Sequence, residues 1–527
     1  MSIIQIQNMT FAYDGTYDNI FENVSFTLDT DWKTGFIGRN GRGKTTFLRL
    51  LTGQEQSSSG SISASVHFDY FPFPIDDMGT TALEAARSMI APFTLWEREM
   101  DALLADSDNE ALEKYGELQQ RYMDADGYII DELITREAGK LAIDESTLAR
   151  PVGTLSPGER TRLTLAALFL KKNNFLLIDE PTNHLDVRGR ALVGDYLSGK
   201  SGFILVSHDR DFLDRVVDHV ISINRADIEV QQGNYSSWKL NRDRQDQYEL
   251  ERNETLKRDI TRLTQAAEQT SRWSDKVEAS KIGGHVADRG HVGHMAAKMM
   301  QRSKAIQRRY LAEAEEKRGL LKNLEENEPL KLFPIPYTRG RLLEAPSLSL
   351  SYGEKAAVQN LRLELEVGER LCLSGHNGCG KSTVIKYLAG QAGIIASGDC
   401  RIGSGLTVSY VPQDTGYLKG DLRTFAQEQG IDESLFKAIL RKLDFSRLQF
   451  EKPMEDYSSG QRKKVVIAAS LCKSAHLYLW DEPLNFIDIL SRVQIEELIL
   501  KYKPTMIFVE HDSAFCRRIA TRTIHFD

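Results

Sequence analysis

The sequence states one phosphate-binding motif twice, and that repetition limits what the chain can fold into more than any other feature. Residues 38–45 read GRNGRGKT, after strand-like TGFI and before helix-like TFLRLL, and residues 375–382 read GHNGCGKS. The G-x-x-x-x-G-K-[ST] loop belongs between a strand and a helix. Its glycines let backbone N–H groups wrap phosphate oxygens, the helix N-terminus favours negative charge, the lysine reaches the outer phosphates, and the hydroxyl can hold Mg²⁺. The candidate nucleotide ligands are Gly38, Asn40, Gly41, Gly43, Lys44, Thr45 and Thr46 in the first copy. In the second they are Gly375, Asn377, Gly378, Gly380, Lys381, Ser382 and Thr383.

The repetition continues in order. The first half carries LSPGE (155–159), the apolar run FLLI ending in Asp179-Glu180, then Asp186, then His208 after FILV. The second carries YSSGQ (457–461), LYLW into Asp481-Glu482, Asp488 and His511. A buried strand ending in two carboxylates puts them at the carboxyl edge of a sheet, beside the phosphate loop. Asp179 and Asp481 then suit the Mg²⁺ shell, with Thr45 and Ser382, while Glu180 and Glu482 suit orienting or deprotonating the attacking water. A lone histidine at a strand end is usually a satisfied polar residue. Repeated in this order, His208 and His511 read as functional. The fold class expected is α/β, two tandem P-loop ATPase domains, since an ordered internal repeat of this kind is not chance.

LSPGE ahead of a carboxylate-tipped strand resembles the signature motif of ATP-binding cassette (ABC) ATPases. That resemblance implies an ATP-hydrolysing enzyme using ATP and Mg²⁺. It implies that Tyr13 and Tyr352 stack on adenine, that Asp186 and Asp488 sit in D-loops, and that His208 and His511 are switch histidines. Gln413, in YVPQ, would contact Mg²⁺ and water. The signature of each half would close on the phosphate loop of the other. Site one is then Lys44, Asp179, Glu180 and His208 with Ser458 and Gly460; site two is Lys381, Asp481, Glu482 and His511 with Ser156 and Gly158. The first copy departs from the pattern at Phe73, in YFPF, where the second has Gln413. Pro157 in one signature, and PTNHLD against PLNFID in the D-loop regions, add to an expected asymmetry.

Aligning Phe73 with Gln413 and Ser156 with Ser458 leaves the first copy about 38 residues longer between those positions. The surplus falls near 84–126, where Trp96, Met100 and Leu103, then Leu112, Tyr115, Leu118 and Tyr122 recur at helical spacing, as in a helical hairpin. From 97 to 126 there are ten acidic residues against three basic, a net of −7. This suits either a basic protein partner or a plain solvated surface.

Between the copies, apolar residues thin to a narrow stripe at Leu256, Ile260, Leu263 and Ala267, and a second stripe runs through Met299, Ile306, Tyr310, Ala314, Leu321 and Leu324. Gly283, Gly284, Gly290 and Gly293 separate them, the pattern of an antiparallel coiled-coil hairpin. A helix from Trp238 to Asp275 would reach about 57 Å at 1.5 Å per residue. Although the chain carries a net charge of −8, residues 270–310 hold nine lysines and arginines against three acids, a net of +6. A basic tip of this kind points to phosphate, and structured RNA is the expected contact. The candidate RNA contacts are Arg272, Lys276, Lys281, Arg289, Lys298 and Arg302. His285, His291 and His294 match no common zinc spacing. The expected domains are 1–235 with its arm at about 84–126, a linker 236–333 with its tip at about 276–298, and 334–527. No run approaches the ~18–20 apolar residues of a membrane span, so the expected location is the cytoplasm. The five cysteines read as reduced and mostly buried.

Over essentially its full length the chain resembles the ABC-F proteins, and its long linker and short insertion resemble their antibiotic-resistance branch, of the Lsa type. That resemblance implies a monomer with an intramolecular ATP sandwich that binds the bacterial ribosome, its large-subunit RNA and proteins, at the tRNA exit site. It would displace the acceptor end of P-site tRNA and expel lincosamides, pleuromutilins and streptogramin A, with hydrolysis driving release. A housekeeping translation factor of the same architecture, and the soluble ATPase of a membrane transporter, are the alternatives.

Overall fold

The computed structural model describes residues 2–13, 19–75, 77–105, 109–183, 185–223, 228–279, 298, 301–313, 315, 330–338, 340–376 and 378–526. The linker glycines and histidines, Lys281, Arg289 and Asn377 lie outside them. Contacts divide the chain into two units, Met1–Ser236 with Glu328–Asp527, and Ser237–Asn327.

In the first unit each copy of the repeat builds two sheets. The first copy has β1 (Ile3–Phe11), β2 (Phe21–Asp29), β3 (Lys33–Gly38), β4 (Ser59–Ser63), β5 (His67–Phe71), β6 (Asn174–Asp179), β7 (Phe203–Val206), β8 (His219–Ile223) and β9 (Ile228–Gln232). The second has β10 (Arg341–Tyr352), β11 (Lys355–Glu366), β12 (Arg370–Gly375), β13 (Ile395–Ile402), β14 (Val408–Val411), β15 (Leu477–Asp481), β16 (Met506–Val509) and β17 (Arg522–Phe526). Small antiparallel sheets run β2-β1-β4 and β11-β10-β13. The larger sheets run β5-β6-β7-β3-β8-β9 and β14-β15-β16-β12-β17, parallel throughout except for β9. Because helices cover both faces, their central strands are apolar runs rather than alternating ones: Phe203 to Val206 and Met506 to Val509 are all buried.

This order sets the site. In each copy the carboxylate strand, the histidine strand and the phosphate-loop strand are neighbours, so their carboxyl ends open side by side, where ligands of parallel sheets bind. The 84–126 surplus forms helices Ala82–Ile90, Phe93–Ala105 and Asn109–Asp124, closed by Phe93, Met100, Leu118 and Tyr122. Phe93 meets Tyr122 edge to face at 5.7 Å.

The second unit holds most of a 45-residue helix, Tyr235–Ala279, about 67 Å long by its rise, and a helix at residues 301–313. The long helix is longer at both ends than the stripe from Trp238 to Asp275 implied. Only a thin side of it is apolar, with Leu263 and Ala267 buried. Pairs four residues apart support the rest: Lys239 with Asp243 at 2.6 Å, Arg242 with Asp246 at 3.2 Å, and Glu254 with Arg258 at 3.3 Å. Arg272 and Lys276 fall within this helix, and Lys298 and Arg302 are helical and exposed. Among the described residues no helix is long and apolar enough to cross a membrane.

Candidate active sites

Site two gathers residues from both copies around a cavity of about 970 Å³, at the upper end of the ~300–1,000 Å³ of small-molecule sites. The second copy supplies Tyr352, Gly378, Gly380, Lys381, Ser382, Thr383, Gln413, Glu482 and His511. The first supplies Ser156, Pro157, Gly158 and Arg162 from its signature, and Asp186 and Arg190 from the segment after its carboxylate strand. Two helix N-termini line the cavity. One begins at Lys381, after Gly380 at φ 93°, where a side chain would meet Val358 Cγ2 at 2.4 Å and Ala357 O at 2.5 Å. The other is capped by Ser156, whose hydroxyl accepts from Glu159 N (3.2 Å) while Glu159 accepts from Ser156 N (2.7 Å). Pro157 takes the first helical position, where a missing N–H costs nothing. Such N-termini favour anions, which suits a triphosphate between them.

Oxygen atoms of the kind that hold a hard cation stand at the same edge. Ser382 Oγ donates to Asp481 Oδ1 at 2.9 Å, and buried Asp481 Oδ2 has no hydrogen-bond partner. Burial pushes this carboxyl up to about 6. A hydroxyl beside an unsatisfied buried carboxylate oxygen fits a hard, oxygen-seeking cation such as Mg²⁺. Next to it, Glu482 is held in the left-handed region at φ 46°, its N–H donating to Val509 O at 3.0 Å. Strained backbone of this kind persists where surrounding structure enforces it. His511 Nε2 lies 3.5 Å from Glu482 Oε1, and Asn485 Nδ2 donates to Oε2 at 2.6 Å. Burial would raise the Glu482 carboxyl, but hydrogen bonds from His511 and Gln413 outweigh it and hold the group below its ordinary value.

Site one repeats the arrangement with other partners. Lys44 Nζ donates to Gly38 O (2.7 Å) and Arg39 O (3.1 Å), matching Lys381 with Gly375 O (2.9 Å) and His376 O (2.7 Å). Thr45 Oγ1 is 3.4 Å from Asp179 Oδ2, and Tyr70 donates its phenol to the same oxygen at 2.8 Å. Tyr13 pairs its hydroxyl with Thr46 Oγ1 at 2.9 Å. Glu180 has φ 52°, and His208 Nε2 lies 3.4 Å from its Oε1. Burial, and then Asp179, push the Glu180 carboxyl up to about 8, whereas burial and then Lys44 and Arg492 depress His208. Here the second signature packs directly on the first phosphate loop. Asn40 Nδ2 donates to Phe486 O at 2.8 Å, and a side chain at Gly460 would meet that carbonyl at 2.5 Å and Asn40 at 3.1 Å. Ser458 caps the helix behind it.

The sequence pattern of the ABC transporter family matches residues 21–183 and 358–485, one stretch in each copy. The chain belongs to this family. It is a tandem ABC ATPase that uses ATP with Mg²⁺. Similar proteins align over nearly the whole chain. The probable ATP-binding protein YbiT of Escherichia coli O157:H7 is 27% identical over 96% of this chain and 93% of its own length. The ABC transporter F family member 2 of Arabidopsis thaliana is 26% identical over 99% and 76%. Among solved structures, an archaeal ribosome recycling factor crystallised with a ribosomal stalk protein has the same fold, with a TM-score of 0.59, 18% identity, and coverage of 98% and 87%. A ribosome-bound archaeal ABCE1 matches at a TM-score of 0.58, 20% identity, and coverage of 99% and 76%.

Several residues of this ABC ATPase's sites were not singled out from sequence. Tyr70 on Asp179 is one, although YFPF and YVPQ both place a tyrosine three residues before the divergent position. Arg190, whose Nη1 donates to His511 O at 3.1 Å across the two cassettes, is another. Phe73 packs against the core of the inserted helices, with the Lys171 ammonium 5.9 Å from its ring centre. All five cysteines are free, but only Cys372 is buried, and the other four are partly exposed, short of the mostly buried set expected.

Proposed function

We propose that this chain is an ABC-F ATPase whose two sites are composite. Lys44 and Lys381 hold the outer phosphates, and Tyr13 and Tyr352 stack on the adenines. Thr45 with Asp179, and Ser382 with Asp481 and Gln413, hold Mg²⁺. Glu180 and Glu482 polarise the attacking water, with His208 and His511 beside them. Ser156 and Gly158 close on the nucleotide of the second cassette, Ser458 and Gly460 on that of the first. The observation that carries this reading is the cavity lined by the first signature and the second phosphate loop together. We assign residues 1–235 and 334–527 to the cassettes and 236–333 to the linker between them.

The substrate-side reading is the bacterial ribosome, entered at the tRNA exit site with ATP bound and left on hydrolysis. The tip at about 276–298 would reach toward the peptidyl-transferase centre, displace P-site tRNA and free the site of lincosamides, pleuromutilins and streptogramin A. Support comes from the alignment with an F-family relative, from the long polar helix, and from the basic composition of 270–310. Its work lies in the cytoplasm. Sedimentation of a Glu180→Gln/Glu482→Gln double variant with ribosomes in ATP tests the ribosomal part, since hydrolysis-blocked protein should stay in the ribosome fraction. An expression host's drug-susceptibility panel tests the finer part: unchanged susceptibility with intact ribosome binding assigns the chain to translation itself rather than to resistance.

A further inference from the structure

We infer that Lys463 is a positioning residue that couples the two ATP sites, an inference resting on the composite-site reading above. Lys463 lies on helix Ser459–Cys472, whose amino end carries Ser458 and Gly460, the signature that packs on the Asn40 side of site one. Its side chain serves site two. The ammonium donates to Pro412 O at 2.8 Å, Gln413 O at 3.2 Å and Asp481 O at 3.3 Å, using all three of its protons. Those carbonyls belong to the turn that places the Gln413 carboxamide on Glu482 and to the end of the Mg²⁺-binding strand.

The lysine is 2% exposed, and none of its three acceptors is a carboxylate. Burying an ammonium on neutral carbonyls is costly unless its geometry is fully used. Here the geometry joins three pieces of backbone that must move together when Gln413 and Asp481 engage a nucleotide and its metal. A rigid helix then carries that displacement one turn back to Ser458 and Gly460. The first cassette has no equivalent tie: its signature helix carries Thr161 at this position, and Phe73 replaces the glutamine. Of the two ties the repeat could build, only the one joining the site-two metal strand to the site-one signature helix is present.

The test uses the full chain with Glu482→Gln, in which only site one turns over, and compares Lys463 with Lys463→Thr and Lys463→Arg. Threonine is what the homologous helix already tolerates. Lys463→Thr should lower the site-one kcat by about tenfold, roughly the worth of a charged hydrogen bond, with KM within about twofold because Lys44 and Tyr13 are untouched. Lys463→Arg, which can still donate to the same carbonyls, should recover most of that loss. The inference is overturned if Lys463→Thr leaves site-one kcat unchanged while lowering turnover of site two in a Glu180→Gln background, since the lysine then acts only locally. It is also overturned if both sites fall with the melting temperature and arginine rescues neither. Residual hydrolysis by the Glu180→Gln/Glu482→Gln protein instead overturns the assignment of the sites themselves.

Discussion

Replacing Glu496 with leucine should weaken the junction between the cassettes far more than replacing it together with Arg210. Glu496 lies on helix Ile489–Tyr502 of the second cassette with its side chain fully buried, and accepts two hydrogen bonds from Arg210 of the first, one of them at 3.2 Å. Arg518 donates to it as well, at 2.9 Å. With Glu496→Leu, Arg518 is 46% exposed and returns to water at little cost. The Arg210 guanidinium is only 11% exposed and keeps Asp512, at 3.9 Å, as its nearest remaining carboxylate. Removing one partner of a buried ion pair costs about 3–5 kcal/mol, whereas exchanging a buried pair for apolar residues of similar size is often neutral. Urea unfolding followed by tryptophan fluorescence, with Trp32 in one cassette and Trp480 in the other, should show Glu496→Leu destabilised by about 3–5 kcal/mol. Arg210→Met/Glu496→Leu should lie within about 1 kcal/mol of the parent. A single variant as stable as the parent, or a double variant as damaged as the single, would refute the account.

Gly380→Ala should abolish nucleotide binding at site two, because the new methyl would meet Val358 at 2.4 Å and Ala357 at 2.5 Å and the backbone sits at φ 93°; fluorescent-nucleotide titration in a Glu180→Gln background reads it. Tyr70→Phe removes the 2.8 Å bond to Asp179, so site one should need several-fold more Mg²⁺ for half-maximal turnover, measured with Glu482→Gln present. Against the cost of burial, hydrogen bonds from Lys140 and Lys200 hold the Glu137 carboxyl down to about 2. Its stabilisation is therefore complete above pH 4.5 and lost as pH falls toward 2, at most about 3 kcal/mol before water around half-exposed Lys140 reduces it. Glu137→Gln should flatten the acid limb of a melting-temperature profile, and an unchanged limb would remove Glu137 from that role.

The chemistry of each site was legible because it needs consecutive residues. A phosphate loop cannot be spread along the chain, and two carboxylates at a strand end announce themselves by following an apolar run. Phe73 marked the first copy as different at once, but not that its ring would turn into the inserted helices, since that depends on a cluster containing Phe93, Leu118 and Ile134, 20 or more positions away. Least legible were the contacts between copies. Asn40 with Phe486, Arg190 with His511, and Arg210 with Glu496 each join residues hundreds of positions apart, through a surface that exists only once both cassettes have folded. The repeat itself nonetheless holds a clue. Aligning Asp186 with Asp488 sets Glu496 opposite Gly194, and aligning His208 with His511 sets Arg210 opposite Ser513. A buried ion pair on one side of the pseudo-symmetric junction thus faces a glycine and a serine on the other. Lys463 facing Thr161 and Gln413 facing Phe73 differ in the same sense. Two cassettes bound by unequal contacts cannot open by equal amounts for the same force, so this ATPase's asymmetry lies in the junction as much as in its carboxylates.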